Sequence, residues 1–193
     1  MIVVGLTGSI GMGKSTTAAL FREEGIAVHD SDATVHRIYA EQARFHLAAE
    51  FPQAFTNGFF DRTALAAYVL GDTNALRRLE AIIHPLVSAN RSDFLAKEKK
   101  QGSRLCVLDV PLLFETGLDA SVDISLVVTA PSEVQKQRVL QRPGMTPEKL
   151  QSVLARQLSD EEKRKRAHWI IDTSHGIDRA RRDVRAFLRS LGA

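Results

Sequence analysis

The sequence contains very little cysteine, with Cys106 as the only one among 193 residues. A disulfide needs two cysteines and a cysteine-based zinc site needs several, so the sequence excludes both. The apolar neighbours of Cys106 predict that it lies in a buried strand. No apolar run reaches the roughly 18 residues that a membrane-spanning helix requires. Because the amino terminus also shows no charged region or cleavage signal, we expect a cytoplasmic protein with no membrane partner.

A large surplus of one charge is also missing. The 26 lysines and arginines and the 23 acidic residues leave a formal charge of +3. This balance suits anionic ligands such as nucleotides, but it is below the surplus expected of a dedicated nucleic-acid-binding protein. We therefore expect no nucleic-acid partner. A hydrophobic content of 44% allows one good core with a small additional subdomain.

One segment near the amino terminus combines glycine, lysine and hydroxyl residues at a defined spacing. It fits the pattern Gly-x-x-x-x-Gly-Lys-Ser/Thr, between an apolar stretch and a helical pattern. Glycines let amide N–H groups approach an anion, and the following helix adds the positive end of its dipole. The pattern predicts a nucleotide phosphate-binding loop made of Gly8, Ser9, Ile10, Gly11, Met12, Gly13, Lys14, Ser15 and Thr16. In this loop Lys14 supplies a cation, and the Ser15 hydroxyl is a candidate ligand for Mg²⁺.

Five short apolar runs read as buried strands, each separated from the next by helical periodicity. Buried parallel strands are continuously apolar, and helices must then cover both faces of their sheet. The runs predict a doubly wound α/β fold of the P-loop NTPase type, with a five-stranded parallel sheet. The five runs are residues 2–6, 26–29, 104–110, 124–129 and 169–172.

A long insertion, residues 33–102, separates the second and third predicted strands. It exceeds one crossover helix, and its periodicity predicts a helical subdomain. Either Asp61 or Thr63 can cap a helix that runs to Val69, and Pro85 is expected to begin a separate helix. A helix that begins with His84-Pro85 could bind an acceptor phosphate at its amino end, although such a pair usually marks only a helix start.

A second excursion, residues 143–167, follows the dipeptide Pro143-Gly144 and is expected to form a small helical lid. Thr146 is its predicted helix cap. The basic run 163–166 follows three acidic residues, which favours a solvated helix with ion pairs over a nucleic-acid patch. The expected nucleotide-binding core is then residues 1–32, 103–142 and 168–193.

Acidic residues stand at the ends of two predicted strands. After the second strand, Asp30 and Asp32 offer two carboxylates, of which one can take a proton from an acceptor hydroxyl and the other can cap a helix. We favour Asp32 as the base. At the end of the third strand, Asp109 either holds Mg²⁺ through water or positions Lys14, or it is a capping or ion-paired carboxylate without a catalytic role. Glu115, beyond that strand, is a weaker metal candidate.

Two arginines are four residues apart on a predicted helix that leads into the lid. Arg138 and Arg142 therefore share one helix face and can approach a transferring phosphoryl group together. The alternative, with about equal weight, is that they are surface cations near the carboxyl end of a helix.

Together these features resemble the dephospho-coenzyme A kinase family, and the resemblance runs nearly end to end. Three residues depart from the common family pattern: Ser9 and Met12 in the glycine loop, and Thr173 where asparagine is frequent. The matching motifs are Gly5-Leu6-Thr7-Gly8, Asp30-Ser31-Asp32, His84-Pro85-Leu86-Val87, Val110-Pro111-Leu112-Leu113-Phe114-Glu115, the Gln-Arg pairs at 137–138 and 141–142, and Ile170-Ile171-Asp172.

The resemblance implies that ATP gives its γ-phosphate to the ribose 3′-hydroxyl of dephospho-coenzyme A, with Mg²⁺ as cofactor. It also implies roles for individual residues. Asp32 would act as the base, and Lys14, Ser15, Arg138 and Arg142 would handle phosphate and Mg²⁺. The second metal candidate beside Ser15, Asp109, comes from its place at a strand end. Asp32, His84, Pro85 and Leu113 would contact the acceptor.

Other functions remain open at this stage. Another P-loop small-molecule kinase, for a nucleoside monophosphate or a metabolite hydroxyl, would share the core and the lid. Residues 84–87 and 110–115 are the stretches that would separate the two. A GTPase is disfavoured because no aspartate is followed three residues later by glycine. A non-enzymatic ATP-binding module is the third possibility.

Overall fold

The apolar runs form strands at the expected places in the computed structural model, which describes residues 1–56, 59–69 and 72–192. Within these residues one sheet has five strands, and a separate hairpin has two. In chain order, the strands are β1 (Ile2–Thr7), β2 (Ala27–Asp30), β3 (Phe55–Thr56), β4 (Phe59–Phe60), β5 (Leu105–Asp109), β6 (Ile124–Thr129) and β7 (Trp169–Asp172).

The five-stranded sheet has the order β2-β5-β1-β6-β7, and the carboxyl ends of the parallel strands β5, β1, β6 and β7 lie at one edge. Strand β1 pairs in parallel with β5 and β6, and β6 pairs in parallel with β7. Every residue of β5 is buried. Because successive side chains of a strand point to opposite faces, this burial means that both faces of the sheet are covered. The predicted doubly wound α/β fold is confirmed.

Helices fill the connections between the strands. One hydrophobic core joins the sheet to α1 and α9, where Phe187 packs against Phe21 and Trp169 with ring centroids 6.0 and 5.3 Å apart. In chain order, the helices are α1 (Lys14–Glu23), α2 (Ser31–Ala40), α3 (Arg44–Glu50), α4 (Arg62–Val69), α5 (Thr73–Lys100), α6 (Ser132–Leu140), α7 (Pro147–Leu154), α8 (Asp160–Arg166) and α9 (Ile177–Ser190).

The described residues form two units, residues 1–29 with 98–193 and residues 30–97. The second unit has its own apolar cluster, in which Ile38, Leu47, Phe51 and Ile83 are almost fully buried. Besides its helices it contains the hairpin of β3 and β4, which the sequence did not predict. A strand of two residues is too short to show an alternating pattern.

The prediction that Pro85 begins a separate helix is wrong, because α5 continues from Thr73 to Lys100 with Pro85 inside it. Proline has no N–H for the carbonyl four residues earlier, and this usually ends a helix. Here Ile83 before the proline and Leu86 and Val87 after it pack on the same apolar cluster. Burial of this continuous stripe stabilises the helix across the proline.

Two predicted helix starts are confirmed by their caps. The Asp61 carboxylate accepts hydrogen bonds from the N–H groups of Thr63 and Ala64 at 2.8 and 3.1 Å, so Asp61 and not Thr63 caps α4. Thr146 caps α7 by accepting from the Lys149 N–H. Such contacts satisfy N–H groups that have no partner within the helix.

Cys106 lies in the middle of β5 and is fully buried. Burial, with a smaller effect of the negative charges of Glu98 and Asp123, raises the pKa of its thiol to about 11. The prediction of a buried strand cysteine is confirmed. Among the described residues, no helix is both long enough and apolar enough to cross a lipid bilayer.

Candidate active site

The glycine-rich loop connects β1 to α1, and its conformation requires glycine at three positions. Gly11 and Gly13 have φ angles of 79° and 85°, a region that other residues rarely adopt. A Cβ atom at Gly8 would lie 2.5 Å from Cγ2 of Val128, so a larger residue has no room there. Gly13 is the N-cap of α1. Because glycine has no side chain to accept hydrogen bonds from the first N–H groups of the helix, these groups are available to an anion.

The two loop residues that depart from the family pattern are both buried. The Met12 thioether sulfur accepts a hydrogen bond from the Ala130 N–H at 3.1 Å, which ties the loop to the end of β6. Ser9 is only 3% exposed, and its hydroxyl has no hydrogen-bond partner in the described part of the chain. Because backbone amides are the groups that bind phosphate in such loops, we expect both replacements to be tolerated.

Lys14 and Asp109 form an ion pair, with Nζ 2.5 Å from Oδ1. The sheet register explains their meeting, because Leu6 of β1 lies beside Asp109 of β5. The Val110 N–H continues this pairing by donating to the Leu6 carbonyl at 2.9 Å. Asp109 is therefore ion-paired with the loop lysine in this structure, a contact that fits the expectation that it positions Lys14.

The oxygen atoms near Lys14 suit a magnesium ion that takes some of its ligands from the protein and the others from nucleotide phosphates. Ser15 is exposed in the first turn of α1, and Asp109 stands at the end of the neighbouring strand. No group of three or more potential ligands among His, Cys, Asp and Glu occurs in the described residues. Mg²⁺ is usually held by one or two protein groups together with substrate phosphates, and this sparse donor set fits that pattern.

Arg138 and Arg142 both line a cavity of about 290 Å³ beside the glycine loop. Gly11, Thr173 and Ile177 are also part of its wall, so the cavity extends from the loop to the start of α9. Arg138 is fixed there by bonds from Nη1 to the Thr173 hydroxyl at 2.9 Å and from Nη2 to the Thr173 carbonyl at 2.7 Å. Both arginines thus contribute to one cavity wall, but the predicted shared helix face is wrong, because α6 ends at Leu140 and Arg142 is exposed beyond it.

Thr173, the residue that stands where asparagine is frequent, connects three parts of this site. Its hydroxyl accepts from Arg138 and lies 3.0 Å from the Met12 carbonyl and 3.2 Å from the Thr129 carbonyl. A hydroxyl has one proton, so it donates to one of these carbonyls at a time. At this position the threonine hydroxyl stands in place of the longer asparagine amide. Through its hydrogen bonds it joins Arg138 to the glycine loop.

Two glutamines hold the peptide groups of Ile10 in the loop, and the sequence did not single out either of them. Gln135 of α6 donates from Nε2 to the Ile10 carbonyl at 2.7 Å. Gln157, which follows α7, accepts from the Ile10 N–H through Oε1 at 3.1 Å. No sequence signal reveals these contacts, because each joins residues more than 120 positions apart.

Glu115 pairs with Lys163, and this pair corrects the expectation that the basic run 163–166 is a solvated helix face. Lys163 is fully buried, with Nζ 2.8 Å from Oε1 of Glu115. Burial favours a higher pKa for the Glu115 carboxyl, but hydrogen bonds from Lys163 and from the Leu158 N–H outweigh it and hold that pKa below its usual value. Lys165 alone shows the expected exposed pairs, with Glu161 and Glu162.

The structure places the predicted acceptor residues in different surroundings. Leu113 is fully buried, backbone included, and its side chain faces Gly5, so it is not accessible to a ligand in this conformation. Its neighbour Leu112 is exposed instead.

Asp32, His84 and Pro85 are exposed residues of the second unit. Asp32 lies in the first turn of α2, where the carboxylate of Asp30 is the cap and accepts from the Ala33 N–H at 2.9 Å. Asp30 therefore has the capping role that the sequence suggested for it. His84 and Pro85 lie in the interior of α5, so no helix amino end is present at this position to bind an acceptor phosphate.

Comparison with known proteins relates almost the whole chain to one family of enzymes. The sequence model of the dephospho-CoA kinase family matches residues 2–179. A dephospho-CoA kinase from Mesorhizobium japonicum is 57% identical over 191 residues, which cover 99% of this chain and 97% of that protein. The dephospho-CoA kinase from Brucella melitensis is 46% identical over 191 residues, which cover 99% of this chain and 96% of that protein.

Solved structures agree with these sequence relationships. A crystal structure from Thermus thermophilus superposes with a TM-score of 0.88 at 38% identity, over 98% of this chain and 97% of that one. The dephospho-CoA kinase from Campylobacter jejuni has a TM-score of 0.68 at 22% identity, over 98% and 96% of the two chains, and supports the fold alone. With the glycine loop, its lysine and the family match in agreement, the chain belongs to the dephospho-CoA kinase family.

Proposed function

We propose that this chain transfers the γ-phosphoryl group of ATP to the ribose 3′-hydroxyl of dephospho-coenzyme A, giving coenzyme A and ADP. The observation that carries the proposal is the Lys14–Asp109 pair at the mouth of a glycine-rich loop, in a chain that matches this family over residues 2–179. A phosphoryl-transfer site needs positioning and charge compensation more than covalent chemistry, and this loop supplies both.

The nucleotide phosphates would lie against the loop and the amino end of α1. Amide N–H groups and the helix dipole stabilise negative charge there, and Lys14 adds a full positive charge. When bound, Mg²⁺ would neutralise part of the developing charge on the phosphate oxygens. The Ser15 hydroxyl and the Asp109 carboxylate are the groups that we propose to face it.

Arg138 and Arg142 would compensate the charge of the phosphoryl group as it is transferred. Guanidinium groups bind phosphate oxygens through two parallel N–H bonds, which fixes orientation as well as charge. Arg138 already lies in the cavity wall, held by Thr173. Within the expected lid of residues 143–167, we propose that residues 143–156 move to exclude water from the reaction, because residues 157–163 are bound to Ile10 and Glu115.

Asp32 is the proposed general base on the acceptor side. Because the Asp30 carboxylate caps α2, Asp32 is the remaining carboxylate of this pair that can take a proton from a hydroxyl. His84, Pro85 and Leu113 are the proposed acceptor contacts, and Leu113, which is fully buried, would have to become accessible when the acceptor binds. The absence of a nucleic-acid partner and the cytoplasmic location stay predictions from the sequence.

An acceptor screen tests this proposal. The purified protein is incubated with Mg²⁺ and ATP and, separately, with dephospho-coenzyme A, AMP, CMP or shikimate, and the products are identified by mass spectrometry. We expect a mass gain of one phosphoryl group only on dephospho-coenzyme A. Transfer to one of the other acceptors, with none to dephospho-coenzyme A, would establish the alternative of a different small-molecule kinase. A parallel series with GTP measures the nucleotide preference.

A further inference from the structure

We propose that Lys163 is a positioning residue for the Lys14–Asp109 pair. With Glu115 it fixes the segment that follows β5, and so sets where the Asp109 carboxylate meets the loop lysine. The inference deepens the proposed function, because the positioned groups are those that would compensate phosphate charge. Lys163 would act on the pair through its bonds to Glu115 and the Pro111 carbonyl.

The burial of Lys163 is the first observation. Its side chain is fully buried, whereas Lys165 on the same helix is 60% exposed. A lysine is almost never fully buried without a partner, because removing an ammonium group from water is costly. Lys163 has such partners in both carboxylate oxygens of Glu115, at 2.8 and 3.1 Å, and in the Pro111 carbonyl at 3.2 Å.

The Pro111 carbonyl links Lys163 to the reactive groups. It also accepts a hydrogen bond from the Thr7 hydroxyl at 3.0 Å. Thr7 is the last residue of β1, directly before Gly8 of the glycine loop, and Pro111 is two residues after Asp109. The Lys163 ammonium group therefore binds the same Pro111 carbonyl that connects the end of β1 to the segment after β5.

A second connection reaches the glycine loop from the other side. The Leu158 N–H donates to Oε1 of Glu115 at 2.7 Å, and the neighbouring Gln157 accepts from the Ile10 N–H. Residues 157–163 thus contact both the loop and the end of β5. Removal of the Lys163 charge would leave the Glu115 carboxylate, which is only 14% exposed, without its cationic partner. We expect residues 110–115 to shift, and Asp109 to move with them.

The consequence for catalysis follows from geometry. Displacement of a reacting group by about 1 Å can reduce a rate by about 10²-fold. A shift of Asp109 would alter the position of Lys14 toward the transferring group, while the backbone amides of the loop would still bind the nucleotide. Loss of Lys163 should therefore lower kcat much more than the affinity for ATP.

Four variants test this inference: Lys163→Met, Lys163→Arg, Glu115→Gln and the control Lys165→Met. Each is assayed for kcat, KM for ATP, ATP affinity by calorimetry and thermal unfolding. We expect Lys163→Met to lower kcat by about 10²-fold with ATP affinity within about threefold. Lys163→Arg should recover most of the loss, and Lys165→Met should match the wild type. Glu115→Gln, which keeps the shape of the side chain, should show an intermediate kcat.

Two results would overturn the inference. One is a folded Lys163→Met or Glu115→Gln variant with wild-type kcat. The other is a joint loss of kcat and melting temperature that Lys163→Arg does not recover, since that describes a residue needed only for folding. Should the wild type fail to phosphorylate dephospho-coenzyme A, only the proposed function fails. Hydrogen exchange of residues 8–16 then still tests Lys163, because faster exchange in Lys163→Met supports positioning and unchanged exchange contradicts it.

Discussion

The ammonium nitrogen of Lys14 lies 2.5 Å from a carboxylate oxygen of Asp109, although 95 positions separate the two residues in the chain. The sheet brings them together, because β1 and β5 are neighbours and end at the same edge. The carboxylate holds the lysine at the start of α1, where the phosphates of a nucleotide would arrive. A charged residue at the start of α1 and one at the end of β5 are thus already paired in the structure without a ligand.

Replacement of Lys14 by alanine should abolish phosphoryl transfer, with kcat lowered by more than about 10²-fold. Without the ammonium group, charge on the β- and γ-phosphates would be poorly compensated in the transition state. A coupled assay of ADP release measures the loss. The matched control is Lys136→Ala, which removes an exposed lysine of α6 and should leave the rate unchanged. Full activity in Lys14→Ala would contradict the role of the loop lysine.

Asp32→Asn should lower turnover by about 10²- to 10⁴-fold and leave ATP binding nearly unchanged. The asparagine keeps the size of the side chain but can no longer take a proton. Asp30→Asn is the informative control, since asparagine also caps helices well and α2 should stay intact. If Asp30→Asn loses activity and Asp32→Asn does not, the base has been assigned to the wrong acid.

Thr173→Val should raise KM for ATP about tenfold, which corresponds to ~1.4 kcal/mol of binding. Valine has nearly the shape of threonine but removes the acceptor of the Arg138 hydrogen bond and the donor to the carbonyls of Met12 and Thr129. Thr173→Ser keeps the hydroxyl and should behave like the wild type. Equal KM values for the valine and serine variants would show that the hydroxyl does not position Arg138.

The stability difference between the wild type and Glu115→Gln should depend on pH. The folded protein holds the Glu115 pKa below the ordinary value of 4.5, so the ionised carboxylate stabilises the native state. This contribution is fully present above the ordinary pKa and is lost as the pH falls through the lower, folded-state pKa. We therefore expect the difference in the free energy of unfolding to be largest near neutral pH and to shrink in acid.

Urea unfolding at a series of pH values between about 7 and about 3.5 measures this difference. Glu161→Gln is the matched control, because Glu161 pairs with Lys165 at the surface and is 76% exposed. Exposed pairs contribute little to stability, so the control should match the wild type at every pH. A gap for Glu115→Gln that stays constant or widens in acid would contradict the sign of the shift.

Amide hydrogen exchange with and without ATP should divide the expected lid into two parts. Residues 143–156 should exchange quickly without nucleotide and more slowly with it. Residues 158–163 should be protected in both states, because Leu158 and Lys163 are bound to Glu115. Equal protection of residues 143–156 in the two states would count against a moving lid.

Local patterns in the sequence were sufficient for much of the nucleotide-binding core. The strand predicted at residues 124–129 coincides with β6, and the Gly-x-x-x-x-Gly-Lys-Ser spacing identified the loop with its two positive-φ glycines. These features depend on neighbours in the chain, such as apolar runs, turn residues and helix caps. Each can therefore be recognised without knowledge of the tertiary structure.

The contacts that the sequence could not reveal are long-range. Gln157 reads as one more polar residue near the end of a helix, and Lys163 reads as part of a solvated basic run. Only the tertiary packing shows that Gln157 accepts a hydrogen bond from the Ile10 N–H and that Lys163 is fully buried. Pro85 shows the reverse case, in which a strong local signal was overridden because apolar residues on both sides of it share one cluster.

The buried position of Cys106 has a practical consequence for work in solution. With a thiol pKa raised to about 11, thiolate is scarce at neutral pH, and maleimide or iodoacetamide reagents have little to react with. A new cysteine at an exposed residue of α7 would then be the dominant reactive thiol of the chain. Fluorophores or spin labels could be attached there, and movement of that helix followed in the protein with its natural cysteine retained.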